Sequence, residues 1–290
     1  MGFLGPNGSG KTTCIRLLLG LMKPTSGTVR VRGLDPVSQH ATALRRVGYS
    51  PELPNLQAFL TPRELLTLVG KELSVPTSEA GKEIEEILEL VGLIEYIDVK
   101  ISKFSKGMVQ RLSIAQGMIG SPDLLVMDEP MIGLDPAGSA HFREVFRKFS
   151  KERGGTIFLS SHIMQEVESL CTSALMIHKG RILFDGPTEE IIARVLGSTY
   201  IGLEAEPVDD NLIKQIGLIK GVEEVSIKET LGGARSRLEL KIRPGIEIRP
   251  LVADSIFRSG AKLYSMGYSE NLLERTYIEA LKRGVTEEVD

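Results

Sequence analysis

The sequence is short of cysteine, of charge imbalance and of long apolar runs, and each shortage removes a class of protein. Cys14 and Cys171 have neither metal-type spacing nor the partners that a disulfide framework needs. The 35 basic and 38 acidic side chains nearly cancel, to −3, so there is no general electrostatic case for nucleic acid or acidic lipid. No apolar run approaches the ~18 residues that cross a bilayer. An export signal is not expected, because another motif occupies the amino terminus. Internal repeats and low-complexity segments are also absent. What remains is an ordinary globular composition, 42% hydrophobic and 25% charged, in a 290-residue chain long enough for two domains. These tests lead to the expectation of a cytosolic protein, with room for peripheral attachment to a membrane partner.

Gly5-Pro6-Asn7-Gly8-Ser9-Gly10-Lys11-Thr12 fits the phosphate-loop pattern G-x-x-x-x-G-K-[ST]. Backbone N–H groups must close around a phosphate there, and glycines allow the approach without Cβ clashes. Lys11 supplies a point charge to the β- and γ-phosphates, and the Thr12 hydroxyl suits Mg²⁺. Thr13 opens an apolar helix, read over 13–19, whose positive end faces the anion. Nucleoside triphosphate binding is the implied chemistry. Such a loop leaves the C-terminal end of a central parallel strand, ordinarily about five or six residues long. Only Met1, Gly2, Phe3 and Leu4 precede it. The chain therefore reads as starting within a domain, through a misplaced start or a truncation.

Further along, residues 28–33 alternate at period two and predict a half-buried strand. Val47-Gly48-Tyr49-Ser50 predicts a short strand ending at Pro51. Thr61-Pro62-Arg63-Glu64 combines an N-cap, Pro at the first helical position and a capping-box Glu. Ile84, Ile87, Leu88 and Val91 share one helical face, with Gly92 as the stop, so residues 61–120 read as a helical insertion. Residues 124–127, 156–159 and 174–177 are buried-strand candidates, and Phe142, Val145, Phe146 and Phe149 form a helical stripe. Alternating strands and helices predict an α/β fold with a mostly parallel sheet. Cys14 reads as a small core residue. His40, His141 and His178 read as surface or packing residues.

Composition shifts at Gly197-Ser198. Beyond it the pattern is strand (200–205), helix (210–219), strand (222–228), strand (237–242), helix (248–259), strand (262–266) and a terminal helix (272–281). Gly232-Gly233 is a turn candidate between the middle strands. The order βαββαβ predicts a small ferredoxin-like α+β domain. The expected domains are thus residues 1–196 and 197–290.

Four more elements bear on chemistry. Leu124-Leu125-Val126-Met127-Asp128-Glu129 puts two carboxylates at a strand end, Asp128 suited to a Mg²⁺ shell and Glu129 to polarising a water. The alternative is two solvated acids that merely close a strand. Phe104-Ser105-Lys106-Gly107-Met108, followed by Gln110-Arg111, opens an apolar helix that Ser105 can cap, its dipole end and the Gly107 N–H facing an anion. Taken alone, it is only a capped helix start. Ile132-Gly133-Leu134-Asp135-Pro136 follows the acidic pair, and Ser160-Ser161-His162 ends a buried strand, where a lone histidine is usually structural.

In this order the five motifs resemble the ATP-binding-cassette family over residues 1 to about 195. The signature corresponds to residues 104–108, the aspartate loop to 132–136 and the switch histidine to His162. The tail, with Leu272-Leu273-Glu274-Arg275-Thr276-Tyr277-Ile278, more loosely resembles the accessory domain of the exporter-linked branch. Ile182-Leu183-Phe184-Asp185-Gly186-Pro187-Thr188 looks like that branch too. The resemblance implies ATP and Mg²⁺ as ligands, held by Gly5, Pro6, Asn7, Gly8, Ser9, Gly10, Lys11, Thr12 and Thr13. It implies Thr12, Glu52 and Asp128 at the metal, with Glu129 and His162 catalytic. Two cassettes, as a homodimer or a paired second cassette, would sandwich ATP head to tail. Ser105, Gly107 and Asp135 would then complete the sites and closure would drive a membrane permease. The implied location is cytoplasmic, peripheral at the inner face of the cell membrane, with no nucleic-acid partner.

Three departures stand out. Glu52 replaces the usual glutamine, adding negative charge near the phosphates, although a carboxylate still ligates Mg²⁺ through oxygen. Lys106 and Met108 replace the consensus Gly and Gln. The family's first antiparallel strands and its adenine-stacking aromatic residue have no counterpart. Two rivals follow. A soluble relative acting on DNA or ribosomes would need a coiled-coil insert longer than residues 14–103, paired zinc cysteines or a second cassette. A degraded cassette with a regulatory or structural role is favoured by the amino terminus and opposed by Lys11, Asp128, Glu129 and His162.

Overall fold

The computed structural model describes residues 1–132, 134, 136–152, 154–232, 234–269 and 271–283. They divide into two compact units, one holding Met1–Ile163 and Leu175–Arg181, the other Met164–Ala174 and the chain from Ile182 onward. The expected boundary at Gly197-Ser198 falls inside the second unit.

Strand β1 (Gly2–Leu4) leads into the phosphate loop and α1 (Lys11–Leu18) leaves it. Then come α2 (His40–Ala43), β2 (Val47–Ser50), α3 (Pro62–Glu72), α4 (Thr77–Leu90) and α5 (Lys106–Met118). They are followed by β3 (Leu124–Met127), α6 (Pro136–Glu152), β4 (Thr156–Ser161), α7 (Met164–Leu170) and β5 (Ser173–His178). The remaining elements begin with β6 (Arg181–Pro187), α8 (Thr188–Leu196), β7 (Thr199–Glu206), α9 (Asp210–Gly217) and β8 (Val222–Gly232). The last four are β9 (Arg235–Ile242), α10 (Arg249–Arg258), β10 (Lys262–Tyr268) and α11 (Leu272–Arg283).

In the first unit the strand order is β2-β3-β4-β1-β5, and the pairs β2–β3, β3–β4 and β4–β1 are parallel. This is the α/β class expected from the alternation of elements. β1 is short but central, and its register (Phe3 opposite Ser160, Leu4 opposite Ser161) lets Gly5 emerge beside the end of β4. Phe3 and Leu4 are buried, and Ile15 of α1 with Leu19 just past its end covers the sheet against Val126. Each such side chain contributes about 1.5–3 kcal/mol by leaving water.

Helix α3 starts where its residues dictate. The Thr61 hydroxyl accepts from the Glu64 N–H at 3.2 Å, and the Glu64 carboxylate accepts from the Thr61 N–H at 2.9 Å. Ile84, Ile87, Leu88 and Val91 are all buried, as are the four residues of the α6 stripe.

Two readings need correction. Residues 28–33 form no strand, only an isolated antiparallel bridge between Val31 and Leu34. The alternation is present, yet a strand exists only when another backbone pairs with it. Cys14 is half-buried rather than a core residue, its thiol pushed up by the burial it does have.

The helical insertion meets the sheet in a close backbone-to-backbone approach of α5 to β2. A Cβ placed on Gly48 of β2 would lie 1.8 Å from the carbonyl oxygen of Gly117 in α5, and one on Gly117 would lie 2.9 Å from Leu125 Cδ1. Neither neighbour can yield cheaply, because one is main chain and the other core. Gly48→Ala is therefore expected to cost about 3 kcal/mol, at the upper end for overpacking. A urea melt with unchanged slope and a lowered midpoint would show it; an unmoved midpoint would mean the helix simply lifts away.

Residues 199–268 build a four-stranded antiparallel sheet in the order β10-β7-β9-β8, the ferredoxin-like arrangement of βαββαβ. Gly233, half of the expected turn, lies outside the described residues. Alternate residues Ile201, Leu203, Ala205, Leu238, Leu240 and Ile242 form a core with Leu212, Ile216, Val252 and Ile256 of α9 and α10. The opposite face is charged. Glu239, only 7% exposed, holds Lys228 Nζ at 2.7 Å and Arg275 Nη1 at 2.8 Å. Burial raises its carboxyl, but these two hydrogen bonds prevail and hold it below the ordinary carboxylate value.

Candidate active site

The parallel register brings the carboxyl ends of three neighbouring strands to one place. β1 delivers the phosphate loop, β3 delivers Asp128 and Glu129, and β4 delivers Ser160, Ser161 and His162. The loop is braced from within, with the Ser9 N–H donating to Pro6 O at 3.1 Å and the Gly180 N–H to Ser9 O at 2.9 Å. Helix α1 then begins at Lys11, after an N-cap Gly10 that offers no side-chain cap. Its first amides are left facing outward, together with the positive end of the helix.

A cleft of about 380 Å³ opens over this end, lined by Asn7, Gly8, Gly10, Lys11, Thr12, Thr13, Glu52, Glu129 and Ile132. Gly8 sits at φ 77°, with nothing within 4 Å of where a Cβ would be, so the backbone itself forms the wall there.

Three buried groups meet at the back of the cleft. Lys11 is 6% exposed, with Nζ 2.7 Å from Gly5 O and 3.1 Å from Glu129 Oε1. The other Glu129 oxygen lies 2.9 Å from His162 Nδ1 and accepts from the His162 N–H at 3.3 Å. Glu129 takes φ 49°, a left-handed backbone that side chains other than Gly, Asn and Asp rarely adopt. That turn swings its carboxylate off the strand axis and between the lysine and the histidine. Asp128, 1% exposed, is not among the cleft's lining residues; its Oδ1 accepts from Ser160 Oγ at 2.6 Å. Ser160 Oγ in turn accepts from the Glu129 N–H at 2.9 Å, so one hydroxyl orients both acids.

Ser105 caps α5, its Oγ accepting from the Met108 N–H at 3.3 Å. Ser105 and Gly107 do not line the cleft of their own chain. They border a second concavity with Gly92, Leu93, Tyr96, Met108, Arg111 and Leu134. Asp135 lies outside the described residues. The clamp role of Ser160 and the left-handed backbone of Glu129 were not read from the sequence, where Ser160 stood only as part of the Ser160-Ser161-His162 strand end.

A family model described as ABC transporter matches residues 1–132. The bacitracin transport ATP-binding protein BcrA of Bacillus licheniformis is 44% identical over 193 residues, covering 67% of this chain. The alignment spans 62% of that relative's length. The linearmycin resistance ATP-binding protein LnrL of Bacillus subtilis (strain 168) is 33% identical over 286 residues, covering 97% of this chain and 89% of its own.

The chain belongs to the ABC transporter family.

It is an ATPase subunit of that family, whose members take ATP with Mg²⁺. A solved ATP-binding subunit of an ABC transporter superposes with a TM-score of 0.62 at 32% identity, covering 68% of this chain and 82% of that one. The ABC site here fits the nucleotide. The amides of α1 and the open wall at Gly8 suit phosphate oxygens, and the Ser9 hydroxyl is buried without a hydrogen-bond partner among the described residues. Thr12 and Glu52 set two hard oxygen donors on the cleft wall, as Mg²⁺ prefers while it keeps several waters. No helix among the described residues is long and apolar enough to cross a membrane.

Proposed function

We propose that this ABC subunit hydrolyses ATP with Glu129 as general base and couples the cycle to a membrane permease that exports its substrate. The observation that carries the chemistry is the buried Glu129 carboxylate bridging Lys11 and His162. A nucleotide in the cleft offers Lys11 phosphate oxygens in place of the glutamate. Glu129 Oε1 then becomes the acceptor for a proton of the attacking water, while His162 holds Oε2 and faces the γ-phosphate. Asn7 to Thr13 bind and orient the triphosphate. Thr12, Glu52 and Asp128 would hold Mg²⁺, which would supply neutralisation of the phosphate charge. Asp128, clamped by Ser160, keeps its acid oriented.

Ser105 and Gly107 sit apart from their own chain's cleft, which supports a head-to-tail pair in which each completes the other's γ-phosphate site. Residues 1–196 serve as the cassette and 197–290 as an accessory domain, consistent with the separate core under β7–β10. Export is supported by the relatives, one named for bacitracin transport and the other for linearmycin resistance. The chain works peripherally at the inner face of the cell membrane.

The test is co-expression with a polytopic membrane protein encoded beside it. The two should copurify, and Mg²⁺-ATP turnover should be several-fold higher for the pair than for the chain alone. A chain that purifies alone and turns over no ATP in either preparation would remove the transporter reading.

A further inference from the structure

Two buried hydroxyls meet where the helical insertion lies on the sheet. Ser50 closes β2 and Ser113 stands within α5, and their Oγ atoms are 2.9 Å apart. The pair continues the line of contact begun by Gly48 and Gly117. Ser50 follows Gly48 by two residues, the repeat of one strand face, and Ser113 precedes Gly117 by four, about one helical turn. Thus β2 and α5 are joined first by touching main chain and then, nearer the cleft, by a hydrogen bond. The glycines only limit how close the two elements come. A hydrogen bond also has direction, so the serine pair sets where α5 lies along β2. An apolar contact in its place would not.

Ser50 is also a support for the assigned metal donors. Its carbonyl accepts from the Asp128 N–H at 2.9 Å, while the Asp128 carboxylate is held by Ser160. Two residues beyond Ser50, Glu52 lines the nucleotide cleft with Thr12. The intervening Pro51 has a fixed φ and leaves little slack. All these residues, and α5 with them, belong to one compact unit. A shift of Ser50 therefore reaches Asp128 through one hydrogen bond and Glu52 through a short, stiff link.

From these contacts we infer that Ser113 is a positioning residue for the Mg²⁺ donors: through Ser50 it sets Asp128 and Glu52, and it makes that setting follow α5, whose start carries Ser105 and Gly107. The inference rests on the nucleotide-and-metal reading given above. Ser113 is buried and does not line the cleft, so its loss weakens what Mg²⁺ adds to nucleotide binding and leaves metal-free affinity alone.

The experiment compares the full chain with Ser113→Ala, Ser50→Ala and the double variant. It measures affinity for a non-hydrolysable ATP analogue with Mg²⁺ and with EDTA, amide exchange over residues 124–129, and urea midpoints. The parent should bind more tightly with Mg²⁺. Ser113→Ala should cut that gain by about three- to thirty-fold, the size of effect seen for residues that modulate a site without touching ligand, with affinity in EDTA within about twofold. Exchange over 124–129 should quicken. Each single variant leaves one buried hydroxyl without its partner and should lower the urea midpoint; the double variant removes both and should regain it. The double variant should not regain the Mg²⁺ gain, because apolar contact does not restore the direction of the lost bond. A double variant that recovers both, or Ser113→Ala with an unchanged gain, overturns the inference and leaves the pair as packing. If Ser113→Ala does not fold, the double variant decides alone. A parent chain that binds the analogue equally well with Mg²⁺ and with EDTA overturns the metal reading itself.

Discussion

Glu129→Gln slows ATP hydrolysis by about 10²- to 10⁴-fold and leaves nucleotide binding in place. The amide keeps the side chain's size and can still meet His162, but it cannot take a proton from water. In the proposed site Lys11, Thr12 and Asp128 would still hold phosphates and metal. With contacts from both subunits persisting instead of being spent, the variant accumulates as a dimer in the presence of ATP and Mg²⁺. Size-exclusion chromatography with and without ATP-Mg²⁺, beside a turnover assay, reads both effects. Hydrolysis at the parent rate would mean that Glu129 is not the base.

Lys11→Ala should have two separate large effects. Binding of ATP falls below detection, because the central positive charge of the phosphate loop is gone. The fold also loses about 3–5 kcal/mol, since the buried Glu129 side chain, 7% exposed, loses its lysine partner and retains His162. The double variant Lys11→Ala, Glu129→Gln recovers most of that stability without recovering binding. Urea melts and isothermal titration separate the two. A double variant no more stable than Lys11→Ala would show that the lysine stabilises the loop through Gly5 O and Pro6 O instead of through the glutamate.

Much of this site could be read along the chain because its parts are local. The phosphate loop, the acids closing β3 and the cap of α5 each depend on residues within a few positions of one another. Parallel strands then place their ends together without further instruction. What the sequence withheld was non-local. The Ser160 hydroxyl serves two acids 31 and 32 residues away, and nothing in the Ser-Ser-His order distinguishes it from Ser161. The left-handed turn at Glu129 is imposed by partners, since glutamate has no preference for it. Helix α7 was not read because, in seven residues, it buries only Val167 and so shows no stripe. Residues 28–33 failed in the opposite direction, where a local pattern lacked the neighbouring backbone that would make it a strand.

The contact of Gly48 with Gly117 gives α5 a lever arm. Ser105 caps the far end of that helix, 12 residues from Gly117, which is about 18 Å along the axis at 1.5 Å per residue. With the backbones touching at the glycine pair, α5 can tilt there but cannot sink closer to the sheet. A tilt of ~10° about that fulcrum carries Ser105 through about 3 Å. A hydrogen bond tolerates only a few tenths of an ångström, so in the proposed head-to-tail pair this modest rocking would be enough to engage or release a phosphate held by the other cassette.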